Sequence, residues 1–229
     1  MHVTWSAVQL REGAAQCPWQ PEGARWCQTG QAGAGRAELP RFDGRWWSVL
    51  AVWDDDPTER AQQWPVADDL VDSGWHVVLA PASFRGDAVL SGGARPFAAL
   101  PAAGRVTGAA AVLTLAGFGE DPVRTREFFE RFLVLGGDVQ QAPGHRAALI
   151  QAPTDGAVMT FSAWDSLRDA VTWAYHRPLH AETVHRQESH PLLATSGFLR
   201  CAVLASRGTL HGTDPLAGLT GAPVTTEHA

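Results

Sequence analysis

The sequence contains no lysine and no asparagine, and all eighteen of its basic side chains other than histidine are arginine. Without lysine there can be no Schiff-base enzyme, no pyridoxal-phosphate anchor and no phosphate-gripping P-loop lysine. Both absences, set beside the richness in Ala, Gly and Arg, read as a compositional bias of the source genome. Cysteine is scarce too. Cys17, Cys27 and Cys201 cannot all pair with one another, and nine residues separate the first two, wider than zinc-knuckle spacing. Long apolar runs are also missing: the longest, Gly108 to Gly117, is far too short to cross a bilayer as a helix. The opening "MHVTWSAVQLREG" lacks a basic start and a sustained apolar stretch, so export is not expected and a cytoplasmic location is. A formal net charge of −6 and scattered arginines argue against a nucleic-acid partner.

At 229 residues the chain fits one large domain or two small fused units, either able to bury a core without disulfides. A first strand is expected near Val3 to Leu10. The stretch from Cys17 to Pro40, broken by Pro18, Pro21 and "TGQAGAG" (Thr29 to Gly35), reads as an irregular, flexible loop. "WWSVLAVW" (Trp46 to Trp53) is rich in β-branched and aromatic residues, and the "DDDP" that follows is a helix-entry signature. That predicts a strand, a helix to about Asp72 ended by Gly74, and a second strand over Trp75 to Ser83. A third apolar strand is expected over Ala109 to Ala116.

Asp121 and Pro122 form a cap and first-turn pair for a helix carrying Phe128, Phe129, Phe132 and Leu135 at helical spacing, with Glu127 and Arg131 paired on another face and Gly136 and Gly137 as its end. Two strands follow, His145 to Ala152 and Ala157 to Trp164, then a helical stretch and a last strand, Phe198 to Ala205. The order β-α-β-β-α-β over residues 106–208 is that of a ferredoxin-like unit. Residues 1–105 read as a degenerate copy with an irregular loop at 11–45, and 209–229 as a flexible tail. The expected fold class is α+β, two ferredoxin-like units in one chain enclosing a barrel-like space.

"TWAYHRPLHAETVHR" (Thr172 to Arg186) places His176, His180 and His185 around Pro178. Proline cannot continue a helix but suits the first turn of a new one, so a break is expected at His176 to Arg177 and a second helix from Pro178 to about Glu188. The break separates His176 from His180, and five residues turn His180 and His185 to different faces. A multi-histidine zinc site is therefore poor. A single inward histidine, His180 on the face of Val184, could ligate a haem iron from one side; by spacing alone a surface or hydrogen-bonded histidine with no ligand is the leading reading.

Several segments in order resemble the spheroidene monooxygenase family, carotenoid-oxidising haem proteins: "WSVLAVW" (Trp47 to Trp53), "LAPASFRG" with "SGGARPF" (Leu79 to Gly86, Ser91 to Phe97), "TFSAWDS" (Thr160 to Ser166), "HAETV" (His180 to Val184) and "FLRCAVLASRGT" (Phe198 to Thr209). The resemblance implies a dimeric α/β-barrel type of fold, haem b in the barrel, and oxygen insertion from O2 or peroxide. It makes His180 the axial metal ligand. It also gives Arg85 a catalytic or cofactor-binding role, pairing with a haem propionate or polarising a bound oxygen species. A small-molecule substrate, a redox partner and self-association are the expected partners. The chain departs from the family at "AQQWPVADDL" (Ala61 to Leu70) and "HPLLATSGF" (His190 to Phe198), so the substrate is expected only to be apolar or a small natural product. His76, His145 and Arg85 are all open as a second acid or base, and Trp47, Trp75 and Trp164 as cavity walls or plain core. A cofactor-free barrel oxygenase or isomerase and a non-catalytic haem-binding module are the alternatives.

Overall fold

The computed structural model describes residues 1–12, 21–34, 44–54, 70–153 and 155–219. They form an α+β fold, a closed barrel of eight strands with three helices. The strands are β1 (His2–Leu10), β2 (Trp26–Ala34), β3 (Trp46–Trp53), β4 (Val71–Gly86), β5 (Ala110–Gly117), β6 (His145–Pro153), β7 (Val158–Trp164) and β8 (Thr195–Gly208). Helix α1 (Pro122–Val139) joins β5 to β6, and α2 (Leu167–His176) and α3 (Pro178–Ser189) join β7 to β8. Around the barrel the order is β1-β3-β2-β6-β7-β5-β8-β4, and every neighbouring pair is antiparallel. In each half the strands stand second, third, first, fourth, and β2·β6 and β4·β8 join the halves. No helix among the described residues is long and apolar enough to cross a membrane.

The period of two along each strand decides what fills the barrel. Val3, Trp5 and Ala7 of β1 point inward, as do Trp75, Val77 and Leu79 of β4, Leu113 and Leu115 of β5, Phe161 of β7 and Leu199 of β8, all in one buried cluster. At its centre Phe161 stacks on Trp5 at 5.1 Å and meets Trp75 edge-on at 5.5 Å. The interior is therefore a packed core. This corrects the expectation of a haem inside the barrel: aromatic rings already occupy the space that a macrocycle would need.

Four boundaries differ from the sequence reading. The stretch taken for a flexible loop contains β2, paired with β3 and β6. Its glycine serves close approach, because a Cβ on Gly30 would lie 2.6 Å from the Ala152 carbonyl oxygen. Gly30→Ala is accordingly expected to cost about 2 kcal/mol through overpacking, read as a lower urea midpoint; in a loose loop the change would be neutral. The helix expected before Gly74 falls mostly outside the described residues, and Val71 and Asp72 already belong to β4. That strand runs for 16 residues because bulges at Val78/Leu79 and Pro81/Ser83 let it bend while pairing β8. Helix α1 does not stop at Gly136 and Gly137. Two such glycines weaken a helix by about 1 kcal/mol each, but Val139 is buried and Asp138 is bonded to Trp173, and these contacts anchor the last turn. Finally, residues 209–219 are not a loose tail: Leu216 is fully buried in the barrel core, and the Thr209 amide donates to the Gly74 carbonyl at 2.7 Å.

Candidate functional site

Since Leu113, Phe161, Leu199 and Cys201 turn into the barrel, the residues between them, Val112, Thr114, Ser162, Trp164 and Arg200, turn outward beneath the helices. Helix α2 lies directly on that face, with Ala170, Leu167 and Trp173 packed with Trp164, Val112 and Ala148. Helices α1 and α3 lie differently. Helix α3 packs chiefly on α2 and next on α1, and α1 chiefly on α3, whereas α2 alone of the three lies close against β5 and β7. No residue of α3 is buried and only Val139 of α1 is. The phenylalanines that make α1 amphipathic stay half-buried, clustered with Phe118 at centroid distances of 5.2 Å for Phe128 and 5.3 Å for Phe129. The half-buried phenylalanine face of α1 is therefore not closed against the sheet as α2 is.

The pair is held together by charge. Glu127 of α1 accepts from Arg186 of α3 at 3.0 Å and from Arg131 at 3.3 Å, and Arg131 also reaches Glu182 of α3 at 3.3 Å. The Arg186 and Arg131 guanidiniums hold the Glu127 carboxyl below the usual range.

His180 stands where α2 turns into α3. Ser166 caps α2, Arg177 is extended at the joint (φ −82°, ψ 123°), and Pro178 starts α3. The turn folds His180 back onto α2, where its Nδ1 lies 2.7 Å from the Ala174 carbonyl oxygen. A carbonyl can only accept, so Nδ1 carries the hydrogen and Nε2 carries the lone pair. The ring rests on Trp173 at 4.4 Å, Trp173 donates from Nε1 to Asp138 at 2.8 Å, and Trp173 lies 5.8 Å from Trp164 on the sheet. Burial pushes the His180 pKa down, against the opposing pull of the Ala174 bond and the Asp138 charge. Its Nε2 has no hydrogen-bond partner among the described residues, yet it is not one of the sealed buried polar atoms. The outcome is a neutral imidazole with fixed tautomer and an available nitrogen, the form in which histidine binds a metal.

His176 and His185 do not join it: both are exposed. Among the described residues no three His, Cys, Asp or Glu side chains converge as a metal cage. Arg85 is exposed near the end of β4, in register with Phe198 of β8. Three strand spacings and four residues separate it from Trp164, about 20 Å along the sheet, so the structure does not bring Arg85 beside His180. His76 lies in the other half, sharing a 2.6 Å hydrogen bond with Ser6, while His145 stands edge-on to Trp164 at 5.1 Å. Trp75 is barrel core, Trp164 packs beneath α2, and Trp47 belongs to a small buried cluster with Val8, Leu10 and Val49. Sequence reasoning missed Trp173 and Asp138, the latter because Gly136 and Gly137 read as a helix end. It also missed Arg200, which the alternation of "FLRCAVL" around Leu199 and Cys201 would have turned outward.

By sequence the chain matches no family model and no curated protein. It is similar in structure to an aldoxime dehydratase (TM-score 0.52, 10% identity, covering 97% of this chain and 88% of that one). It is also similar to the aldoxime dehydratase OxdRE in complex with butyraldoxime (0.53, 13%, 95% and 84%). A proposed monooxygenase from Fusobacterium nucleatum subsp. nucleatum aligns more loosely (0.42, 9%, 93% and 96%). At these identities the two dehydratases establish a shared fold over nearly the whole chain, the eight-stranded antiparallel barrel with its flanking helices.

Proposed function

We propose that this protein is a haem-dependent oxidoreductase of the monooxygenase-like type, that a cleft between α1/α3 and the outer face of β5–β8 takes haem b, and that His180 Nε2 is its iron ligand. The observation that carries the reading is the Nδ1–H bond from His180 to the Ala174 carbonyl, 2.7 Å long. It fixes the tautomer, raises the basicity of Nε2 and leaves that nitrogen available. The aromatic lining fits a planar apolar macrocycle: Trp173 and Trp164 lie beside the histidine, and Phe118, Phe128, Phe129 and Phe132 lie on the helix side. The segments resembling spheroidene monooxygenases point the same way, and the matching strand order of the two halves supports reading 1–105 and 106–208 as two joined ferredoxin-like units.

When bound, the haem would supply the redox chemistry that puts one oxygen atom of O2 into an apolar substrate and releases the other as water, with two electrons from a donor protein or, in the alternative, with peroxide as oxidant. The chain's own residues hold, orient and shield. His180 is locked by Ala174 and Trp173, Trp173 by Asp138, and Asp138 also pairs with Arg177 at 3.4 Å. The half-buried phenylalanines keep water from the substrate. Arg85, exposed near the end of β4, would serve the cofactor only through a charged group that projects that far along the sheet.

A second reading keeps His180 and its cleft and replaces oxygen transfer by dehydration of a small oxime, the reaction for which the two fold neighbours are named. Formation of a nitrile from butyraldoxime, with no oxygen consumed, distinguishes it. Adding ferric haem to the purified protein is expected to produce a saturable Soret band, and His180→Ala to shift that band and weaken binding by at least tenfold. Absence of a Soret band removes the haem reading; a band unaltered in His180→Ala removes the ligand.

A further inference from the structure

Four arginines among the described residues are half-buried: Arg131, Arg177, Arg186 and Arg200. Three of them face carboxylates, Arg131 at 3.3 Å from Glu127, Arg177 at 3.4 Å from Asp138 and Arg186 at 3.0 Å from Glu127. Arg200 does not: among the described residues its guanidinium makes no hydrogen bond and no ion pair. Guanidinium stays charged at any physiological pH, so partial burial without a counter-charge is a standing cost. A guanidinium so placed is available to an anionic ligand.

Its position says what kind. Leu199 and Cys201 are barrel core, so Arg200 projects from the outer face of β8, in register with Val112 of β5, which in turn faces Ser162 of β7. Two strand spacings and two residues separate it from Trp164, over which His180 is stacked through Trp173. That is about 12 Å along the sheet, within the span of one aromatic ligand of porphyrin size. Thr114 and Ser162, half-buried on the same face, leave more room there than large apolar side chains would.

We propose that Arg200 is the oxyanion-recognising residue of the cleft, and that the molecule held there is an apolar aromatic ligand bearing a carboxylate or another anionic oxygen. The proposal rests on the cleft of the reading above but not on iron. The anion could be a carboxylate of the tetrapyrrole itself or an anionic ligand bound against its sheet-facing side.

The test uses the protein without added haem and two fluorescent probes of one shape, 1-anilinonaphthalene-8-sulfonate and its uncharged parent N-phenyl-1-naphthylamine. The wild type is expected to prefer the anionic probe, and Arg200→Gln to lose about tenfold in affinity for it while holding the neutral one unchanged. Arg105→Gln, on an exposed loop, controls for general charge, and matching melting temperatures control for folding. Equal affinity for both probes in the wild type, an equal loss of both in Arg200→Gln, or binding of neither overturns the proposal. Two further arms separate the sources. Preference for protoporphyrin IX over its dimethyl ester that Arg200→Gln abolishes assigns the tetrapyrrole carboxylate. Loss of fluoride affinity in the ferric haem-loaded variant, with the ester preference intact, assigns the sheet-facing anion. A Soret band that depends on His180 without any effect of Arg200→Gln leaves the haem reading standing and removes this one. The converse, Arg200-dependent discrimination between the probes with a spectrum indifferent to His180, does the reverse.

Discussion

Phe161→Ala is expected to lower the unfolding free energy by about 4 kcal/mol, roughly a thousandfold in the folding equilibrium. The ring is wholly buried and touches Trp5 at 5.1 Å and Trp75 at 5.5 Å. Those partners come from β1 and β4 of the first half, whereas Phe161 comes from β7 of the second, so the truncation opens a void where the two halves meet. Relaxation cannot fill it, because eight strands in a closed barrel have no free edge along which to slide. Urea denaturation measures the loss. Were the barrel interior a ligand chamber, Phe161 would line a cavity rather than fill one, and the same substitution would cost under about 1 kcal/mol. Val134→Ala, at a position of α1 that is 58% exposed, is the contrasting surface change, expected within about 0.5 kcal/mol of the wild type.

Acid is expected to remove about 3 kcal/mol of stability between pH 6.5 and pH 4. Burial, helped by the nearby Arg207 charge, pushes the His76 pKa down from 6.5 to about 4. Because the folded value lies below the unfolded one, the unfolded chain binds more protons throughout that window. Stability is therefore complete above the unfolded pKa and falls as pH drops toward the folded one, by about 1.4 kcal/mol for each pH unit. His145 and His180 are displaced in the same direction by burial and steepen the fall. Glu127, held low by Arg186 and Arg131, adds its own loss at still lower pH, below the ordinary carboxylate value. Urea midpoints measured every half unit from pH 7.5 to 4 would trace this curve, and His76→Gln would flatten its His76 portion. A stability constant from pH 6.5 to 4.5 in the wild type would contradict the burial of these three histidines.

Local chemistry made part of this fold legible. Asp121 and Pro122 announced α1, and the cap is realised by Asp121 accepting from the Val123 amide at 2.9 Å. Pro178 announced the break between α2 and α3, β-branched and aromatic richness announced β3, and an apolar run announced β5. What escaped was set by tertiary contact. Gly30 sits in a strand because the Ala152 carbonyl approaches so closely, a reason that no local pattern carries. Gly136 and Gly137 stay helical because the following residues are anchored elsewhere, and Leu216 returns to the core across a long separation. At the site, spacing correctly divided the three histidines, but nothing local says that His180 folds back on Ala174 and Trp173. Nor could periodicity reveal that the barrel is filled by Trp5, Trp75 and Phe161, which moves the candidate site to the outer face of the sheet. Arg200 carried a readable sign, a charge in outward phase between core residues of an apolar strand.

Resonance Raman spectra of the ferrous, haem-loaded protein test His180 as the iron ligand most directly. The predicted result is an iron–histidine stretching band in the wild type that is absent from His180→Gly and returns, shifted, when imidazole is added to that variant. The same unshifted band in His180→Gly without imidazole would contradict it.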